Sequence, residues 1–365
     1  MNITVPKEVR FNEYRVGLSP LGVEALVQQG HACIVEHSAG LGAGFRDADY
    51  EAAGARMVFS HEEAFRRGDL VVKVARPLQE ELEWLEEGQI ILAFLNLAVA
   101  SPQKVETLLT RKITALAYEQ IQLPDGRLPV LNAMSEIGGR MAAQVAATLL
   151  QNDRGGKGIL LGGLPGVPPA EVGILGAGAV GRSASRAFLG LGAHLTVLDQ
   201  NPMRLEEIDS LFPGRLVTLH STPVNIARTC RYVDVLLGAV LVPGERAPIV
   251  VTREMVRSMK PRSVILDLSI DQGGCVETSR PTSHDRPTFE AENVIHYCVP
   301  NMPGVVARTA THALNAVATP YIQEIARLGL EEAVRADSAL GAGVCTLGGK
   351  LLRVLSPGFD PERES

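Results

Sequence analysis

VGILGAGAVG, at residues 172–181, is a short apolar run that leads directly into three glycines with the spacing G-x-G-x-x-G. An apolar strand, a glycine turn and a helix start in this order are the fingerprint of a dinucleotide-binding βαβ unit. A helical segment at 182–191 and a second apolar strand at 195–198 follow here. The stretch therefore predicts a Rossmann-type α/β domain.

Each glycine of this turn has a separate role in the prediction. Gly176 permits the tight turn, Gly178 lets the backbone approach a pyrophosphate, and Gly181 lets the helix lie close to the strand. Asp199 follows at about the expected ~20 residues and can accept hydrogen bonds from ribose hydroxyls, which favours NAD(H) over NADP(H). Arg204 is a cation nearby that could weaken this preference. The predicted cofactor loop consists of Gly176, Ala177, Gly178, Ala179, Val180 and Gly181. The alternative is a structural glycine turn followed by an incidental acid.

The composition is that of an α/β enzyme with two domains. The chain has 365 residues, of which 46% are hydrophobic and only 4% aromatic, and it carries 36 glycines and 22 prolines. Aliphatic elements that alternate with many tight turns suit an α/β fold. The net charge of −6 argues against a nucleic-acid partner.

The sequence argues against disulfide and metal sites, against secretion and against a membrane location. Five cysteines occur without a C-x-x-C pair, and the eight histidines show no metal-ligand spacing, so neither a disulfide framework nor a metal site is expected. The first residues lack the apolar run of a signal peptide, and no apolar run approaches the ~18 residues of a membrane span. We therefore expect a cytoplasmic protein with no membrane partner.

The remaining pattern predicts a second α/β domain before the glycine turn. Apolar runs at 3–5, 32–36, 70–73, 89–94 and 113–118 alternate with helical segments. A long helix is expected at 135–152, and a last helix at 305–328 is expected to kink or break at Pro320. We predict a substrate domain at 1–137 plus 302–365 and an NAD-binding domain at 138–301, with the two flanking a cleft.

Eight strings spread over the chain carry a family resemblance. They make the sequence similar to the alanine dehydrogenase family, which also includes the nucleotide-binding subunit of proton-translocating transhydrogenase. The transhydrogenase branch fits less well, because that subunit lacks the C-terminal segment present here and works with membrane partners. The strings lie at 5–8, 12–16, 134–141, 161–167, 238–244, 270–275, 277–282 and 296–303.

The resemblance implies a reaction and a set of site residues. Family enzymes interconvert L-alanine and pyruvate with NAD(H) and ammonia, and they form dimers or hexamers. By resemblance, Arg15 would hold the substrate carboxylate in a bidentate fork, and Asp271 would be the active-site acid–base group. An ordinary surface arginine is the alternative for Arg15. Positions that line the cofactor in the family are matched by Ser135, Val240, Leu241, Asn301 and Met302.

Two departures from the family motifs change the expected chemistry. The chain reads KVARP at 73–77 where the family typically has KVKEP, so Ala75 replaces a lysine that contacts the substrate oxygen. Asn96 replaces the catalytic histidine, and an amide cannot titrate near neutral pH. Lys73 is a candidate to replace the lost lysine, because residues two apart on a strand share a face. The alternative is that Lys73 keeps a structural role.

The sequence thus leaves two functions open. One is an NAD-dependent amino-acid dehydrogenase or imine reductase whose small-molecule substrate, a 2-oxo acid, amino acid or imine, is altered. Asn132 and Ser269, which stand where the family usually has apolar residues, also make the predicted site more polar. The other function is that of a catalytically idle NAD-binding protein with a regulatory or structural role. In either case a homo-oligomer is expected.

Overall fold

Two sheets organise residues 1–352, the part of the chain that the computed structural model describes. One compact unit comprises Met1–Met134 together with residues 303–352, and the other comprises Ser135–Met302. The sequence-based division placed these boundaries after residues 137 and 301. Residues 353–365, assigned there to the substrate domain, lie outside the described residues.

The elements alternate between strand and helix along most of the chain. The strands are β1 (Asn2–Val5), β2 (Ala32–Glu36), β3 (Arg56–Val58), β4 (Leu70–Val72), β5 (Ile90–Ala93), β6 (Thr114–Ala117), β7 (Glu171–Leu175), β8 (His194–Asp199), β9 (Val217–His220), β10 (Val235–Gly238), β11 (Val264–Asp267), β12 (Thr288–Ala291), β13 (Val294–Tyr297), β14 (Val344–Leu347) and β15 (Lys350–Leu351). The helices are α1 (Pro20–Gln28), α2 (Asp47–Ala52), α3 (His61–Arg66), α4 (Gln79–Trp84), α5 (Pro102–Thr110), α6 (Pro129–Leu149), α7 (Ala179–Gly190), α8 (Pro202–Leu211), α9 (Pro223–Tyr232), α10 (Arg253–Arg257), α11 (Ala307–Leu328), α12 (Leu330–Ala336) and α13 (Ser338–Gly343).

The sheet of the first unit is doubly wound. Its strand order is β15-β14-β6-β5-β4-β1-β2-β3, and the pairs from β3 to β6 are parallel. Every residue of β4, β5 and β6 is buried, as expected of parallel strands that are covered on both faces. The C-terminal segment returns to this unit, because β14 pairs antiparallel with β6. The order reverses between β1 and β4, and crevices at such switch points bind ligands in open α/β sheets.

The sheet of the second unit repeats this plan. Its order is β12-β13-β11-β10-β7-β8-β9, with β12 antiparallel at one edge. The switch point lies between β7 and β10, which are both parallel neighbours in the centre of the sheet. The predicted fold class, two Rossmann-like α/β units, is therefore confirmed.

Two predicted helices differ from the structure. Helix α6 begins at Pro129, six residues before the predicted start, because proline is well tolerated in the first helical turn. Of the two outcomes expected at Pro320, a kink or a break, the break is wrong: α11 runs without interruption from Ala307 to Leu328. Its buried face, which includes Leu314, Ala318 and Ile322, provides packing that offsets the hydrogen bond lost at the proline.

A chain of five charged residues joins elements of the first unit. The His61 ring nitrogens lie 2.6 Å from Glu36 and 3.0 Å from Glu81, and the Lys73 ammonium lies 3.1 Å from Glu81 and 3.0 Å from Glu8. Burial alone lowers the pKa of His61, but its hydrogen bonds to Glu36 and Glu81 outweigh burial and raise that pKa to about 9. The imidazolium therefore links the end of β2 to α4 at neutral pH.

This pairing predicts that stability falls as the pH rises. A pKa raised on folding contributes stability that is complete below the unfolded value of ~6.5 and is lost as the pH passes the folded value. We expect the free energy of unfolding to drop by about 3 kcal/mol between pH 6.5 and 9 because of His61. Urea unfolding of the wild type and of His61→Gln across this range measures the difference. If the two proteins lose stability in parallel, the imidazolium link is refuted.

Candidate active site

Three of the four predicted catalytic residues lie on loops at one edge of the first sheet. Arg15 follows β1, Lys73 follows β4 and Asn96 follows β5. These strands are consecutive neighbours in the sheet, and all run in the same direction. Their carboxyl ends therefore bring the three loops together at the switch point, where open α/β sheets bind ligands.

The Arg15 side chain is buried and held by a carboxylate. Its Nε and Nη2 donate to the two oxygens of Glu13 at 2.7 and 2.6 Å. Nη1 lies 3.4 Å from the Met134 sulfur. Because one edge of the guanidinium is taken by Glu13, a bidentate substrate carboxylate would need the edge formed by Nη1 and Nη2.

Lys73 points into the interior of the unit. Only 1% of its side chain is exposed, and its ammonium lies between the carboxylates of Glu8 and Glu81. Burial lowers the pKa of Lys73, but the charges of both glutamates outweigh it and the net shift is upward. An ammonium held in this way is a poor proton donor, which favours the structural role over replacement of the missing lysine.

Ala75 and Asn96 have backbones that buried carboxylates fix in place. Glu8 accepts hydrogen bonds from the N–H groups of Val74 and Ala75 at 2.6 and 3.3 Å. Glu119 accepts from Asn96 N–H at 2.5 Å, and Asn96 itself has a left-handed backbone with φ of 44°. Asparagine and histidine are both enriched in this conformation, so the loop tolerates either residue.

Sequence reasoning missed the three glutamates that shape this edge. Glu8 lies inside the string at 5–8, whose only signal is the family resemblance. Nothing in the sequence distinguishes Glu119 from a surface acid. Glu81 lies in the first turn of α4 and accepts a hydrogen bond from Leu78 N–H at 2.6 Å, which is a recognisable capping contact. Their importance follows from burial, which a short polar string does not reveal.

The Lys73 ion pairs predict a stability effect rather than a purely kinetic one. Lys73→Met leaves two carboxylates buried without their cation, and we expect a loss of about 3–5 kcal/mol in the free energy of unfolding. Lys112→Met is the matched control, because Lys112 pairs with Glu87 at the surface and its loss is expected to cost under about 1 kcal/mol. Chemical denaturation measures both. Unchanged stability of Lys73→Met, together with a large loss of turnover, would favour a catalytic Lys73.

The glycine loop of the second unit has the shape of a pyrophosphate cradle. Gly176 has φ of 107°, and a Cβ there would collide with the carbonyl oxygen of Ala239; at Gly181 it would collide with that of Gly176. By contrast, no heavy atom of the described chain lies within 4 Å of a Cβ placed on Gly178. Gly178 caps α7, and its neighbours Ala179 and Val180 are in the first helical turn. Open space beside unpaired helix N–H groups fits a dinucleotide phosphate.

Asp199 closes the other side of this cradle. It ends β8, is 8% exposed, and accepts hydrogen bonds from the N–H groups of Ala177 and Asn201, each at 2.7 Å. Arg204 Nη1 lies 4.0 Å from the Asp199 carboxylate and its side chain is half exposed. The aspartate is thus positioned by the glycine loop itself, and it presents negative charge where a 2′-phosphate would need a cation.

Asp271 lies at the carboxyl edge of the same sheet. It follows β11 in a 3₁₀ turn, Ile270–Gln272, and its exposed carboxylate accepts from Asn301 N–H at 3.1 and 3.2 Å. Ser269 Oγ donates to the Val240 carbonyl at 2.8 Å and accepts from Val240 N–H at 3.0 Å. Ser269 therefore joins the loops that carry Asp271 and Val240.

The remaining cofactor-lining predictions are distributed over the same unit. Leu241 is exposed next to Val240, whereas Met302 is buried in the hydrophobic core. Ser135 is half buried in α6, the helix in which the boundary between the two units falls. Leu241 is therefore accessible to a cofactor, whereas Met302 is almost fully buried.

The acid at the end of β8 predicts a nucleotide preference. We expect NADH to bind at least about tenfold more tightly than NADPH, because Asp199 repels a 2′-phosphate. Asp199→Asn is expected to reduce the difference between the NADH and NADPH affinities. Arg204→Met is expected to leave the NADH affinity within a few-fold of the wild-type value. Calorimetric titration of both nucleotides onto the three proteins measures the six affinities. Equal binding of NADH and NADPH by the wild type would show that Arg204 neutralises the phosphate.

Comparison with known proteins places both units in one family. Residues 4–138 match the alanine dehydrogenase/PNT N-terminal domain, and residues 142–353 match the alanine dehydrogenase/PNT C-terminal domain. The chain is 49% identical over 350 residues to an alanine dehydrogenase of Staphylococcus haemolyticus, covering 96% of this chain and 93% of that protein.

Solved structures agree with this match. One structure of an L-alanine dehydrogenase has a TM-score of 0.90 and 46% identity, with 97% of each chain covered. A transhydrogenase from Sinorhizobium meliloti has a TM-score of 0.80 and 26% identity, with 98% of this chain and 100% of that chain covered. Among the helices of residues 1–352, none combines the length and apolarity needed to cross a membrane.

Proposed function

Because the chain belongs to the alanine dehydrogenase/PNT family, we propose that it is a dehydrogenase or imine reductase whose substrate differs from alanine and pyruvate. The family resemblance read from the sequence is confirmed, as is the assignment to NAD-dependent oxidoreductases that act on CH–NH2 groups. An idle NAD-binding protein is correspondingly disfavoured.

The observation that carries the altered substrate is the enclosure of Lys73. Positions 75 and 96 hold alanine and asparagine, neither of which titrates. Lys73, the candidate replacement, is paired with Glu8 and Glu81. Losing one general acid–base group costs on the order of 10²–10⁴-fold in rate. A site adapted to pyruvate would therefore be severely impaired, whereas a substrate that needs less proton transfer at this edge would not.

The second unit supplies the groups for NAD(H), which brings hydride-transfer chemistry when bound. The glycine loop, Asp199 and Val240 would hold the nucleotide, since the open space at Gly178 and the acid at the end of β8 fit its pyrophosphate and ribose. Asn301 N–H orients the carboxylate of Asp271, and we assign that carboxylate the proton transfers at the reacting carbon's nitrogen or oxygen.

In the first unit, Arg15 and Asn96 would bind the substrate. Glu13 fixes the guanidinium of Arg15, and this charge would pair with the substrate carboxylate. The Asn96 amide can donate a hydrogen bond to a carbonyl or imine, although it cannot supply a proton. In this assignment Lys73 positions the loop of Ala75 through Glu8 and does not touch the substrate.

Several broader expectations belong to the same proposal. We propose that 138–301 is the NAD-binding domain, that 1–137 with the C-terminal segment is the substrate domain, and that the small-molecule substrate is a 2-oxo acid, amino acid or imine. We further propose a cytoplasmic homo-oligomer, a dimer or hexamer, following the resemblance to the family.

Restoring the two replaced residues is the direct test. Wild-type protein is expected to convert pyruvate, ammonia and NADH to alanine at least about 10²-fold more slowly than its alanine dehydrogenase relatives. Ala75→Lys with Asn96→His is expected to raise this rate, and either change alone to help less, because the two groups act as a unit. NADH absorbance at saturating ammonia measures the rate.

A further substitution tests whether the gained activity depends on the proposed acid–base group. In the restored double variant, Asp271→Asn is expected to remove the new activity while NADH affinity stays within a few-fold. Brisk turnover of pyruvate by the wild type would contradict the altered substrate. Activity of the double variant that survives Asp271→Asn would place the acid–base group elsewhere.

A further inference from the structure

Three cations lie on the loops that form the switch point of the first unit. Arg10 is on the loop after β1, Arg76 is on the loop after β4, and Lys104 is in the first turn of α5, which follows β5. None of the three entered the sequence-based site. All three are only partly buried, so they are within reach of a small ligand.

Hydrogen bonds to a common stretch of backbone hold these cations together. Arg10 Nε donates to the Arg76 carbonyl at 2.7 Å, and Lys104 Nζ donates to the Pro77 carbonyl at 2.5 Å. Arg76 Nη1 in turn donates to the Val99 carbonyl at 3.3 Å, which ties the loop of Ala75 to the loop of Asn96. The charges of Arg10 and Lys104 therefore converge on the carbonyls of residues 76 and 77, while Arg76 donates to the next loop.

The acids of this region make their hydrogen bonds and ion pairs with other groups, although Glu81 also acts on Lys104 and Glu119 on Arg76 through their charges. Glu81 is paired with Lys73 and His61, and Glu119 accepts the N–H groups of Leu95 and Asn96. Within residues 1–352, no carboxylate oxygen lies within the 4 Å of an ion pair from Arg10 or Lys104. Arg10 is bonded through Nε, and Lys104 uses one of its three donors, so both keep donors for an anion.

The neighbouring positive charges affect the pKa of Lys104. Burial, together with the charges of Arg10 and Arg76, lowers the pKa of Lys104 to about 8, while the charge of Glu81 acts in the opposite direction. Crowded, partly desolvated cations destabilise one another unless an anion compensates. An anionic ligand at this point would relieve the repulsion.

We propose that Arg10 and Lys104, next to Arg76, form a subsite for a second carboxylate of the substrate, which makes the substrate a dicarboxylic 2-oxo acid or the corresponding amino acid or imine. This rests on the proposed function, because Arg15 holds the first carboxylate. The loops that carry the subsite are the same ones that carry Arg15, Ala75 and Asn96. Ala75 has a smaller side chain than the lysine typical of the family, and Arg76 places a positive charge one residue further along the chain.

The test compares 2-oxo acids of equal carbon number in pairs. Oxaloacetate is paired with 2-oxobutyrate, 2-oxoglutarate with 2-oxovalerate, and 2-oxoadipate with 2-oxohexanoate, each with NADH and ammonia. At least one dicarboxylate is expected to exceed its partner in kcat/KM by about tenfold or more, which is the effect of one or two charge-assisted hydrogen bonds. Calorimetric titration of the same dicarboxylate onto the NADH-bound protein, without ammonia, gives an affinity that does not depend on turnover.

Variants assign the preference to the subsite. Arg10→Met and Lys104→Met are each expected to lower the dicarboxylate-to-neutral ratio of kcat/KM by about 10- to 100-fold, and Lys104→Arg to restore most of it. Lys112→Met, which removes an exposed lysine paired with Glu87, is the matched control and should leave the ratio unchanged. Thermal melting and NADH affinity identify any variant that has lost its fold.

The outcomes separate this inference from the proposed function. Turnover of neutral 2-oxo acids with no preference for dicarboxylates, and no calorimetric binding of any dicarboxylate, would overturn the subsite while leaving the altered-substrate enzyme intact. A dicarboxylate that binds in an Arg10- and Lys104-dependent way without being reduced would support the subsite and contradict the proposed reaction.

Discussion

The first unit depends on one buried ammonium, that of Lys73, held between Glu8 and Glu81. Charges in such a place are costly unless every partner is present, so the pairing fixes three separate pieces of backbone at once. Glu8 also holds the N–H groups of Val74 and Ala75, and Glu81 holds that of Leu78. These bonds hold the loop after β4, and with it the backbone of Ala75.

This constraint redistributes the chemistry of the site. In the proposed site, Lys73 is engaged with two carboxylates and does not compensate for the replacement of the family lysine by Ala75. Positive charge reappears instead at Arg76, next to Arg10 and Lys104, on loops tied together by bonds to backbone carbonyls. In the proposed function, fixed cations at this edge of the sheet select the substrate, while positions 75 and 96 lack groups that transfer protons.

The second unit has kept its nucleotide machinery. The close contacts around Gly176 and Gly181 admit no side chain, and the Asp199 carboxylate is bound by the Ala177 N–H within the glycine loop itself. The same few residues thus select a nucleotide by its shape and by its charge. Ser269 links the loop of Val240 to the loop of Asp271 through two hydrogen bonds, so a hydroxyl where the family usually has an apolar residue contributes to the order of this edge.

The sequence by itself determined whatever depends on local pattern and spacing. The apolar runs placed the strands that they predicted to within one or two residues. The glycine spacing with Asp199 predicted an NAD-binding unit, because a turn that excludes side chains needs glycine at set positions. Only the tertiary structure decided what depends on burial and on contacts between distant residues. The continuity of α11 through Pro320 follows from packing of its buried face, and the antiparallel return of β14 to β6 joins segments far apart in the chain. The commitment of Lys73 and the convergence of Arg10 with Lys104 likewise require knowing which loops meet at the end of a sheet, and no short stretch of sequence carries that information.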